Sequence, residues 1–86
     1  MIEKQAVRET HLELIAPGTR AARIYALTTT DTLDRVLSSG YFDRFAEWGL
    51  RKADRIMVSA NLHGAVDCCW LVCEANVEGH VSVRRI

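Results

Sequence analysis

The sequence predicts a small α+β domain, a predominantly antiparallel β-sheet or barrel-like domain with one or two short helices and an extended N-terminal arm. Three observations predict it. Several short runs rich in β-branched and aromatic residues alternate in polarity, one stretch at helical spacing lies between good capping residues and a glycine, and no repeat, low-complexity tract or linker divides the 86 residues.

Residues 1–18 form the arm or first strand. Around residues 10–15, Leu12 and Leu14 fall on one side and His11 and Glu13 on the other, and Pro17-Gly18 ends the run. Residues 19–86 form the β-rich domain. Its first strand covers residues 23–29, with Ile24, Ala26 and Thr28 on one face and Tyr25 and Leu27 on the other. Thr30 and Asp31 are candidate N-caps for a helix over residues 32–39, in which Leu33, Val36 and Leu37 share a face and Gly40 supplies the left-handed stop.

Residues 41–50 hold four of the six aromatic side chains, with Phe42, Phe45 and Ala46 at helical spacing, and should plug the core. The remainder predicts an antiparallel meander: a strand over residues 54–60, a turn over 61–64, a strand over 65–75, a four-residue connection over 76–79 and a last strand through Val81 and Val83. In the middle strand Val66, Cys68, Trp70 and Val72 lie on one face and Cys69, Leu71 and Cys73 on the other, so both faces are apolar and the strand should be central or covered by another subunit. If Trp70 is core, Trp70→Ala should cost about 3–5 kcal/mol.

Composition narrows the function classes. Hydrophobic residues make up 49% of the chain, eleven basic residues balance eleven acidic ones, and no apolar run approaches the ~20 residues of a membrane-spanning helix. A membrane partner is therefore not expected. The zero formal charge also lacks the long-range field of a nucleic-acid binder. Residues 1–8 alternate charged and apolar side chains, unlike an export signal. Nine of the eleven basic residues are Arg, which suits directional interface contacts but also fits a compositional bias.

No chemistry assembles from the motifs, so neither an enzyme, a cofactor nor a metal is expected. On a strand, Cys69 and Cys73 share a face but lie roughly 13 Å apart, and Cys68 points away from Cys69, so they close neither one tetrahedral metal site nor a ready disulfide. Buried reduced thiols are the expectation, and a Cys73–His80 nucleophile pair would need an exposed thiol. The carboxylate pairs Asp31/Asp34 and Asp43/Glu47 read as caps and partners for Arg35 and Arg44. No phosphate loop, metalloprotease motif or nucleophile elbow is present. Excess apolar surface stands out instead, and association with other copies would cover it. The candidate interface comprises Leu12, Leu14, Trp48, Arg51 and Arg55, with Lys52 beside them.

The pattern Tyr25-x-Leu27-Thr28-Thr29-x-Asp31-x-Leu33-x-x-Val36-x-x-x-Gly40-Tyr41-Phe42, followed by Leu50-x-x-x-Asp54-x-Ile56-x-Val58, resembles small capsid-associated structural proteins of tailed phages and of phage-like gene transfer agents. Gly40, Tyr41, Phe42 and Asp54 define the motif. The resemblance implies a non-enzymatic head-decoration or head-spike base protein, made in the bacterial cytoplasm and located in a virion or virion-like particle. Its implied partners are copies of itself, with a ring of five suggested by icosahedral vertices, a capsid protein, and a fibre protein. Residues 1–18 would be the docking arm, so removal of residues 1–8 should spare folding and weaken assembly. Ala53 stands where the resembling proteins have Gly, which puts the tight turn before Asp54 in question. The alternative is a small cytoplasmic protein- or nucleic-acid-binding module using Trp48, Arg51, Lys52 and Arg55.

Overall fold

The structure is a computed structural model and describes residues 10–16 and 23–86. Five strands, β1 (Thr10–Ala16), β2 (Ile24–Thr29), β3 (Arg55–Ala60), β4 (Asp67–Val77) and β5 (His80–Arg85), form one sheet in sequence order. All neighbours are antiparallel except β2 and β3. The expected α+β class and mostly antiparallel sheet are thus present. The described strands make an open sheet with β1 and β5 at its edges. Of the two forms expected at the N-terminus, residues 10–16 take that of a strand in the chain's own sheet. Residues 1–9 and 17–22, including the rest of the expected arm and its Pro17-Gly18 stop, lie outside the described residues.

A parallel pair cannot be joined by a hairpin and needs a crossover. Between β2 and β3 that crossover contains the helix α1 (Leu33–Val36) and a 3₁₀ helix (Tyr41–Trp48). The first helix is shorter than the sequence predicts. Its N-cap is Thr32, whose Oγ1 accepts from Arg35 N at 3.3 Å, while Asp31 instead reaches Arg35 at 3.6 Å. Leu37 is already the C-cap, and it is exposed. Gly40 adopts φ +85°, a left-handed conformation that a side chain would strain, and this turns the chain into the aromatic segment.

That segment plugs the core as expected. Tyr41, Phe42 and Phe45 are buried against Leu12, Tyr25, Leu27, Ile56, Val58, Leu71 and Val81. The Tyr41 hydroxyl donates to Asp31 Oδ2 at 2.8 Å, and Asn76 Nδ2 donates to the carbonyls of Ala46 and Leu50, at 2.9 Å each. Asp43 fixes the crossover to β5 by accepting from Val81 N at 2.9 Å. This backbone hydrogen bond, with a smaller contribution from His80, holds the Asp43 carboxyl below its ordinary pKa.

Asp54 closes the crossover. It is 1% exposed and accepts hydrogen bonds from Arg23 N, Arg51 N and the Arg23 guanidinium, at 3.0, 2.9 and 2.6 Å. Burial by itself would raise the Asp54 pKa; the Arg23 guanidinium and the two backbone N–H groups outweigh it and leave the carboxyl below its ordinary value. Arg23 also donates to the Gly49 carbonyl, so one side chain links the start of β2 to both ends of the segment before β3. The turn questioned in the sequence forms with alanine: Ala53 takes φ +80°, and its N–H donates to Cys73 O at 2.8 Å.

The C-terminal meander is present with one change. Asn76 and Val77 belong to β4, and the connection to β5 is the two-residue turn Glu78-Gly79, with φ +53° and +86°. Two positive φ angles match the right-handed twist of a tight hairpin better than the expected four-residue loop.

Candidate interaction surface

The side chains of a strand alternate between faces, so the strands that bury one set of residues under the crossover display another set on the outer face. Cross-strand partners align these into two rows. Glu13, Ala26, Met57 and Trp70 are successive partners across β1 to β4, and Ile86 N donates to Trp70 O at 3.0 Å beside them. Ala16, Ile24, Arg55, Val72 and Arg84 form the adjoining row. Met57 is 38% exposed, Trp70 42% and Ile86 63%. An open cleft of about 570 Å³ lies here, lined among others by Ile24, Arg55, Trp70, Arg85 and Ile86.

Trp70 is therefore not core, so the condition on which the larger loss from Trp70→Ala was expected is not met. β4 is an interior strand as predicted, but the crossover covers one of its two apolar faces. The cations nearby are differently placed: Arg84 Nε donates to Glu74 Oε2 at 2.8 Å, whereas Arg55 and Arg85 have no ion pair among the described residues.

The expected interface residues separate. Leu12 is fully buried, because it faces the core from β1, and it is not a surface residue of the folded chain. Leu14 is 44% exposed beside the bulge that interrupts the β1–β2 register between Leu14 and Ala16. Trp48 is 50% exposed, with its ring against Phe45 at 5.4 Å, but it belongs to the crossover side of the sheet. Arg51 and Lys52 lie in the loop before β3, and Arg55 lies on the outer face opposite Ile24 and Val72. Trp48 and Arg55 thus stand on opposite sides of the sheet. The motif residues Gly40, Tyr41, Phe42 and Asp54 are scaffold: one turn, two core rings and one buried carboxylate.

The cysteines are free thiols, Cys73 buried, Cys69 partly buried and Cys68 exposed. Exposure of Cys68 corrects the expectation that all three are buried; it sits on the outer face, opposite Ser59. Burial raises the thiol pKa of Cys69 and Cys73. Cys73 Sγ donates to Ala75 O, and His80 Nδ1 lies 3.3 Å from Asp43 Oδ2, so the Cys73–His80 pair does not form. Among the described residues no three His, Cys, Asp or Glu side chains cluster as metal ligands would, and no helix is long and apolar enough to cross a membrane.

Sequence reasoning missed Arg23, Met57 and Ile86. The Arg23–Asp54 pair spans 31 residues and leaves no local signal. Met57 and Ile86 were legible only as alternate positions of strands whose second face had an unknown cover. No protein-family model, curated protein or solved structure matches the chain.

Proposed function

We propose that the chain is a non-enzymatic structural subunit of a phage or gene-transfer-agent particle, a head-decoration or head-spike base protein that oligomerises and docks on capsid protein. Such a subunit is made in the bacterial cytoplasm, resides in the particle and offers a seat to a fibre protein. The particle class follows from the sequence resemblance. The observation that supports a contact function is the outer face that the described residues leave uncovered, where Met57, Trp70 and Arg55 adjoin on neighbouring strands. Aromatic residues, Met and Arg are the types enriched where protein surfaces meet, and a Trp in a central apolar patch is a common energetic anchor. Placed against a capsid subunit, this face would bury the apolar rows while Glu13, Glu74 and Arg84 stay at the rim.

The test is to sediment particles from the cells that encode the chain and measure its ratio to the major capsid protein. A fixed ratio, lost when Met57→Glu is introduced, is the expected result. A chain found only in the soluble fraction, bound to another protein or to nucleic acid, would overturn the particle reading in favour of a binding module.

A further inference from the structure

The outer face is one of two kinds of unsatisfied surface; the sheet edges are the other. An edge strand presents a row of unpaired N–H and C=O groups, a template for another strand. Following the pairings across the sheet, β1 runs against β2, β2 with β3, β3 against β4 and β4 against β5, so β1 and β5 point in opposite directions. Copies related by rotation about an axis along the strands, as in a ring, therefore bring β1 of one beside β5 of the next in antiparallel orientation.

The available stretches are short and defined. On β5, Val81 N is already taken by Asp43, and crossover residues including Leu37 and Phe42 wall a cleft of about 280 Å³ against Val81, Ser82 and Val83. Val83 is the last strand residue to line that cleft, Arg84 and Arg85 lie beyond it, and Ile86 is largely exposed. On β1 the bulge ends the regular ladder at Leu14.

We propose that copies of the chain assemble head to tail through these edges, residues 11–14 of one copy adding antiparallel to residues 83–86 of the next. The inference deepens the particle-subunit reading and rests on it for its purpose. Its register follows from the pleat. His11 and Glu13 face outward on β1, and Ser82 and Arg84 do so on β5. Leu12 and Leu14, like Val81 and Val83, lie on the core side. A continuous sheet must keep core side against core side, so the register moves only in steps of two. One choice sets Glu13 opposite Arg84 and Leu14 opposite Val83. One step one way moves Glu13 to Ser82, beneath the crossover; one step the other way carries Glu13 past Arg84 to Ile86 and sets Arg84 against Ile15 in the bulge.

Charge disfavours pairing β5 with itself. At the uncovered end, pairing β5 with itself under the same rule sets Arg84 opposite Arg84 or Arg85 opposite Arg85, and like charges directly opposite are destabilising. In the head-to-tail register Arg84 instead lies between Glu74 of its own chain, at 2.8 Å, and Glu13 of the neighbour. Opposite ends of one sheet thus carry matched charge, and a heterologous contact of this kind closes into a ring when its rotation permits.

Size-exclusion chromatography with light scattering on the full chain tests this, with circular dichroism to show that each variant is folded. The wild type should run as a discrete multimer. Glu13→Arg and Arg84→Glu should each shift the mass toward that of one 9.7 kDa chain, and the double variant should recover the multimer. Glu74→Gln, which removes only the internal partner of Arg84, should leave the multimer in place. A monomeric wild type, a multimer indifferent to both swaps, or a dimer dispersed only by Met57→Glu would overturn edge pairing. Should the chain nevertheless sediment with particles, the particle reading survives without it. A swap-sensitive ring absent from particles would do the opposite, supporting edge pairing and overturning the particle reading.

Discussion

On the core side of the sheet Leu27, Ile56, Val58 and Leu71 are wholly buried, while one position along the same strands Met57 and Trp70 keep 38% and 42% of their surface exposed. The two faces are built from similar residue types. What separates them is the crossover between β2 and β3, which lays Val36, Phe42, Phe45 and Leu50 on one side and nothing on the other. Apolar character in a strand is thus a demand for cover, and the described residues of one chain meet it on one face.

The largest test of this contrast is Phe42→Ala, which opens a cavity under the sheet and should cost about 3–5 kcal/mol in urea unfolding. Asp54→Ala should approach that, about 3 kcal/mol, because it strands the Arg23 guanidinium in a largely covered site. The pH dependence has a definite sign. The folded Asp54 pKa is depressed, so its contribution is complete at neutral pH and fades as acid takes the pH below the ordinary aspartate value of about 4 and through the folded pKa. Asp54→Asn should flatten that acid limb in a stability–pH series.

On the open face, Trp70→Ala should cost only about 1–2 kcal/mol, since part of the ring is in water already. A loss equal to that of Phe42→Ala, measured on dilute monomer, would break the contrast between faces. Ala53→Gly should stabilise by up to about 1 kcal/mol, because it relieves a left-handed alanine and gives back part of the gain as unfolded-chain entropy. The smallest effect is that of Met57→Glu, within about 0.5 kcal/mol for folding, although it should abolish docking.

Much of the fold was legible because its signals are local. The apolar and β-branched runs over residues 23–29 and 54–60 both form strands, and in the first Tyr25 and Leu27 share the face opposite Ile24 and Ala26 as expected. Gly40 turns left-handed where the helix was expected to stop, although α1 ends early, with Leu37 already its C-cap. The candidate interface was less legible. Leu12 and Leu14 share a side in sequence, yet one is buried and the other stands beside a bulge, which alternation alone does not reveal. Trp48 and Arg55 are seven residues apart but on opposite sides of the sheet, because the chain leaves the crossover between them.

The sequence by itself determined the strands, the aromatic plug and the absence of a recognisable catalytic motif, since periodicity, turn residues and residue type act over a few positions. Tertiary structure decided which apolar face is covered, which carboxylate is buried, and which strands end the sheet. Those outcomes depend on where a crossover lands and on pairs such as Arg23 and Asp54, brought together across 31 residues by the parallel pairing of β2 with β3.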